Sequence, residues 1–418
     1  HQVTVALVVP PGGTKDAATP AGVAAVVSGG VSRFWSQASA GRVSFTVTAA
    51  HGWIATTAAC TQPFALWAEV KRRTGFVEGP GRHLVVYLTS QGTGSCYYGL
   101  GTVGSGTSSG GYVYVRDATT SILAHELGHN LGLGHSNELQ CPGVADGAWG
   151  GGWTPSCREA GYRDWYDVMG ISWDRLGSLS TAHAYALGLL PTGAVESVGA
   201  PVSAELAPVS ATTGLRSLRV VDPAGPTYVV EYRAATGRDA YLAGNWAGLR
   251  PGVVVRRADP SDATQTLLLD LTPSWRDGWD DDLDTPLAAG ATFTTASGRV
   301  VLRVDEATAT LARVSVAVDG VWPENAFDRT GGRGHRPRPS VDPNPSATAT
   351  SDPGGRVGRT GAPDPQETPS PVDPTQTADP TGTPSGTAEP TGTPDPPSQS
   401  PTPSAPAGPP ADGTPSAG

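Results

Sequence analysis

His125-Glu-Leu-Gly-His-Asn-Leu-Gly-Leu-Gly-His135 (HELGHNLGLGH, residues 125–135) is the stretch on which the reading of this chain turns. It fits the pattern H-E-x-x-H-x-x-G-x-x-H, which has a low chance of arising at random. Residues four apart on a helix lie about 40° apart around its axis, so His125 and His129 aim at one point. Glu126 sits beside that face, too oblique to be a ligand and within reach of a water held there. Gly132 lets the chain leave the helix through a backbone angle other residues resist, and the turn delivers His135 from outside. Three neutral imidazoles are a ligand set for Zn²⁺ that keeps one position open, the arrangement of a catalytic site and not of a closed structural one. Zn²⁺ lowers the pKa of a bound water toward ~7, and Glu126 is placed to act as general base and then acid. Gly128 and Gly132 each cost about 1 kcal/mol of helix propensity relative to Ala, which a purely structural helix has little reason to accept.

Around this motif, residues 1–192 alternate strand and helix patterns. Val3–Val9, Arg42–Thr48, His83–Leu88 and Tyr112–Val115 read as strands, and Pro20–Ala38, Thr61–Arg73 and a segment from about Thr119 as helices. That alternation predicts an α/β layer with a largely parallel sheet. Residues 193–322 change to short aliphatic runs broken by Pro, Gly and Asp, which predicts an antiparallel all-β sandwich. Residues 323–418 are a Pro/Thr/Ser/Gly-rich stalk. Between 331 and 418 lie 22 of the 39 prolines and no aromatic residue, too little apolar surface to offset the ordering entropy, so the stalk is expected to be disordered.

The formal charge of -10 and only two lysines, Lys15 and Lys71, argue against nucleic acid. No apolar run is long enough to span a membrane. The four cysteines form no CxxC pair. An even count favours disulfides, and proximity along the chain favours Cys60–Cys96 and Cys141–Cys157 among three connectivities. Disulfides persist in oxidising compartments, so the chain is expected to be secreted, with the tail a candidate cell-wall tether. His1 in place of Met predicts a targeting segment ahead of it.

The histidine motif resembles that of the metzincin zinc metallopeptidases. With the segment Asp167-Val168-Met169-Gly170, Ser136 after the third histidine and the insertion bounded by Cys141 and Cys157, it is similar to gametolysin-like and reprolysin-like secreted members. The resemblance implies a Met-turn, with Met169 (the only Met) as a hydrophobic floor beneath the metal and no ligand itself. It implies hydrolysis of peptide bonds in extracellular proteins, with protein or peptide substrates. A substrate-binding edge strand should precede the zinc helix, and by order that strand is Gly111-Tyr112-Val113 and its continuation. The helix after the Met-turn would be Ser180–Leu190, and Trp149, Trp153 and Trp165 fall where the family has its specificity wall. Ile171 stands where some members carry a tyrosine ligand.

Two glycine-rich matches are decoys. Gly99–Gly104 (GLGTVG) lacks the helix a dinucleotide site needs, and Gly106–Gly110 (GTSSG) lacks the strand–turn–helix of a nucleophile elbow. Both read as loop. The acidic run 277–284, with Asp277, Asp280, Asp281, Asp282 and Asp284, is a candidate Ca²⁺ loop or a solvated one. The reading is therefore a monomeric zinc endopeptidase: a metzincin-like α/β catalytic domain over 1–192, a β-sandwich over 193–322 and a stalk over 323–418. The rival is a surface adhesion protein that uses the zinc domain as a non-catalytic scaffold.

Overall fold

Val3, Val5, Ala6, Leu7 and Val8 are fully buried, and the strand they form, β1 (Gln2–Val9), is interior to a five-stranded sheet. The computed structural model describes residues 1–172 and 175–324. The expected stalk, apart from its first two residues, lies outside them.

After β1 come helices α1 (Pro20–Val26) and α2 (Ser32–Ala38), joined without a break by a π-turn at Val27–Val31, so that the expected helix over 20–38 exists with a bulge at its centre. Strand β2 (Thr46–Ala55), helix α3 (Pro63–Thr74), strands β3 (Arg82–Leu88), β4 (Gly99–Gly101) and β5 (Gly111–Val115) and helix α4 (Thr120–Asn130) follow. The sheet order is β2-β1-β3-β5-β4. The first four strands are parallel and β4 runs antiparallel to β5.

Two expectations shift. The strand expected at 42–48 begins at Thr46, because Val43 and Phe45 bury their side chains in the core from a loop. The expected substrate edge strand Gly111–Val113 is corrected. Strand β5 is paired on both sides, to β3 and β4. The edge belongs to β4, formed by the glycine-rich stretch that had read as loop. Glycines hid that strand because they lack the apolar alternation by which a strand is recognised.

The rest of the described chain adds β6 (Ser136–Gln140), β7 (Ala148–Trp149), β8 (Trp153–Thr154), β9 (Arg158–Ala160), α5 (Thr181–Ala186), β10 (Val195–Val198), β11 (Val202–Leu206), β12 (Ser217–Val221), β13 (Thr227–Arg233), β14 (Gly252–Ala258), β15 (Thr266–Leu269), β16 (Thr292–Thr294), β17 (Val300–Ala307) and β18 (Ala312–Val318). A seven-stranded sheet has the order β10-β12-β13-β14-β15-β6-β9, and a four-stranded one β11-β18-β17-β16. Residues of both sheets, among them Leu218, Val230, Val255, Leu302 and Val314, share one core.

The arrangement is not wholly antiparallel, as had been expected: β10–β12 and β15–β6 are parallel. The second pair has a clear cause. Strand β6 enters directly from His135, so its direction is set by the histidine motif and not by a hairpin with β15. The larger sheet thus takes two strands, β6 and β9, from within residues 1–192. Both disulfides, Cys60–Cys96 and Cys141–Cys157, are present.

Candidate metal centre

Helix α4 opens on Thr119, whose hydroxyl accepts from the Ile122 amide. It carries His125 and His129 one turn apart. The chain then turns at Gly132, which has φ +101°, and returns His135. Ligand-capable atoms of the three imidazoles lie within 4.8 Å of one another, and no other such group of His, Cys, Asp or Glu occurs among the described residues.

The ring orientations are pinned from behind. His125 Nδ1 donates to the Val168 carbonyl at 2.8 Å, and His129 Nδ1 donates to the Leu133 carbonyl at 2.8 Å. A carbonyl can only accept, so each Nδ1 carries the proton and each Nε2 keeps its lone pair free for a metal. Burial, helped by repulsion among the rings, holds His125 well below the usual imidazole pKa and His135 down at about 3. Burial also lowers His129. All three are therefore neutral at pH 7, the form that binds metal.

Glu126 is buried, and its Oε2 has no hydrogen-bond partner. Burial alone raises its carboxyl to about 8. A Cβ placed on Gly99 would lie 2.2 Å from Glu126 Oε1, and one on Gly101 would lie 2.7 Å from its backbone oxygen. Edge strand β4 therefore passes directly over the carboxylate, at a distance only glycine permits. A buried, orphaned carboxylate is costly unless a cation sits close by. Three neutral nitrogen donors and that carboxylate together fit Zn²⁺.

Met169 packs against helix α4. A Cβ on Gly128 would meet its Sδ at 2.5 Å, so the helix–Met contact requires glycine. The turn that carries Met169 is tied by Asp167, whose Oδ1 accepts from the Met169 amide and whose Oδ2 accepts from the Ser180 amide, each at 2.8 Å. Burial opposes ionisation of Asp167, but His183 at 3.2 Å, Arg256 and these hydrogen bonds outweigh it and hold the carboxyl well below its usual range.

His135 is held largely by the second sheet and the loop that leads into its strand β15. The Thr266 amide donates to the His135 carbonyl and the Gly134 amide to the Thr264 carbonyl, both at 3.0 Å. Ser136, the residue after His135, gives its amide to the Met169 carbonyl at 3.0 Å and its hydroxyl to Asp164 at 2.7 Å. Asp164 is bound at 2.6 Å by Arg256 Nε, and Arg256 also pairs with Glu231. Burial works against the Glu231 carboxylate, but Arg233 and Arg256 outweigh it and draw the pKa to about 2. An ion network with no solvent access thus joins strands β13 and β14 to the loops that carry His135 and Met169.

Reasoning from the sequence missed this network and missed Tyr162. The Tyr162 ring centroid is 4.1 Å from that of His135 and 5.8 Å from that of His125. Its loop reaches the site because the Tyr162 amide donates to Asn137 and its carbonyl accepts from Ile171. Its φ of +61° carried no sequence signal, since tyrosine is not a left-handed-turn residue.

Of the tryptophans, Trp153 packs on the core of the larger sheet, Trp149 stacks edge-on against it, and Trp165 meets Trp246. His83 is bonded to Asn130 and His1, and His183 to Asp167. The helix expected over Ser180–Leu190 is shorter, Thr181–Ala186 with Ser180 as its cap. In the acidic run, Asp280 pairs with Arg158 and Asp284 with Arg250. The candidate Ca²⁺ loop thus has guanidinium partners for two of its carboxylates.

Residues 84–152 match the model of the M12B reprolysin-like metallopeptidases, which supports a metzincin-like zinc metallopeptidase. None of the curated proteins matches this chain. Among solved structures, one described as "Structure of a chaperone-substrate complex" aligns with 16% identity over 32% of this chain and 24% of that one, at a TM-score of 0.18. At that score the likeness carries no argument, and the chain spans about a quarter of that structure's length.

Proposed function

We propose that this protein is a secreted zinc endopeptidase of the gametolysin-like or reprolysin-like kind, cleaving extracellular proteins. The observation that carries this is the convergence of three imidazoles, each held neutral and two pinned at Nδ1, beside a buried glutamate with an unpartnered oxygen. His125, His129 and His135 would hold zinc, which when bound supplies Lewis acidity to a water and to the scissile carbonyl. Glu126 takes the proton of the attacking water at its carboxylate and passes it to the leaving amine. Met169 is the floor against which α4 rests. Strand β4 offers its free edge to an extended substrate, which would bind by strand addition. The two disulfides support an extracellular setting. We further propose that 1–192 is the catalytic domain, 193–322 a β-sandwich built against it and 323–418 a disordered stalk, and that the protein acts as a monomer.

The test is casein digestion by the purified chain with metal analysis. Chelation is expected to abolish cleavage and added Zn²⁺ to restore it. Glu126→Gln should lose on the order of 10²–10⁴-fold in kcat while keeping one zinc per chain. Undiminished digestion by that variant would reject the mechanism.

A further inference from the structure

Apart from the histidine site, a cavity of about 870 Å³ opens between α2, the segment around α5, and the loops that precede β12 and follow β13. Neither the three histidines nor Glu126 lines it. Its charged lining is of one sign: Arg33, Arg216 and Arg238, with no carboxylate, in a chain that has 38 acidic and 28 basic residues.

The arginines that this protein buries fully have acids beside them. Arg233 has Glu231 and Asp239, Arg256 has Asp164 and Glu231, and Arg257 has Asp146. Among the described residues, the arginines of the cavity have no such ion pair. Arg216 donates from Nη1 to the Ala211 carbonyl at 3.3 Å, and its Nε is buried without a partner. Arg238 bonds the Gln37 amide oxygen and lies 5.1 Å above the Phe34 ring. Burial lowers the pKa of both, unopposed at Arg216 and partly offset by Asp239 at Arg238. The remaining walls are apolar, with Leu179, Leu189 and Val209. A guanidinium fork suits a planar or tetrahedral oxyanion, and the volume falls within the ~300–1,000 Å³ of small-molecule sites.

We propose that this cavity binds a small amphipathic anion, its carboxylate or phosphate head between Arg216 and Arg238 and its apolar body over Leu179, Leu189 and Val209. The site is separate from the peptide-cleaving one, and its occupancy is read without any activity.

The experiment is calorimetric titration of the full chain with decanoate, decyl phosphate and neutral decanol. One saturable site is expected for either anion or both, and their ratio identifies the preferred head. Decanol should bind at least roughly tenfold more weakly than the better anion. Arg216→Met/Arg238→Met should weaken the anion at least roughly tenfold. Thr212→Glu, at the exposed rim, adds a carboxylate without disturbing the core and should weaken it likewise, so that a folding defect in the double variant does not decide the matter. Absence of saturable anion binding, equal binding of decanol, or unchanged affinity in Thr212→Glu would overturn the proposal. So would uptake of an Asp/Glu-rich peptide in place of both anions.

Discussion

Gly128 is the residue at which helix propensity and tertiary contact conflict most directly. Replacing a helical glycine by alanine ordinarily gains about 1 kcal/mol. Here the added methyl would sit 2.5 Å from Met169 Sδ and 3.2 Å from Trp35 Cζ2. We expect Gly128→Ala to destabilise the protein by about 1–3 kcal/mol, the usual cost of overpacking. Urea midpoints check this, and Met169→Ala in the same chain should recover part of the loss by vacating the space. A rise in stability from Gly128→Ala alone would mean the helix does not rest on Met169. The glycine's propensity cost was visible in the sequence. Its cause was not, because the two residues are brought together only by the turn at 167–170.

Among the elements, strand β14 bears on the site through the ion pairs of Arg256. Arg256 projects from this strand into a fully buried setting and neutralises Asp164 and Glu231 at once. Arg256→Met removes the charge, leaving buried Asp164 without its guanidinium and Glu231 with Arg233 alone. The expected cost is about 3–5 kcal/mol, measured by urea denaturation of the zinc-loaded chain, with a matching loss of zinc affinity because Asp164 holds Ser136 next to His135. The zinc helix was legible from the spacing of its own residues. Edge strand β4 was not, since a three-residue strand of two glycines and a leucine has no periodicity to read. Nor was the parallel pairing of β6 with β15, which joins segments some 130 residues apart.

For the whole molecule, the decisive feature is that the larger sheet runs through the neighbourhood of His135. A chain ending at residue 192 would lose β15, the amide of Thr266 that holds His135, and the Arg256 side chain. It is expected to be unstable and to bind less than one zinc per chain. A chain ending at 324 keeps every described element and should retain full zinc content. Metal analysis and hydrogen exchange on the two truncations separate the cases. A stable, fully loaded 1–192 fragment would make the second sheet an accessory and not a support.

The cluster of three histidines was written in the sequence, because helical spacing places two of them on one face and a left-handed glycine sends the third back, all within eleven residues. The four cysteines likewise paired with their nearest partners along the chain. What only the tertiary structure decided was which groups stand behind those histidines. Buried ion pairs, close glycine contacts and the approach of the Tyr162 ring to His135 depend on residues far apart in sequence. Neither composition nor periodicity encodes such a meeting, and the requirement that each buried charge find a partner becomes readable only when the strands are in register.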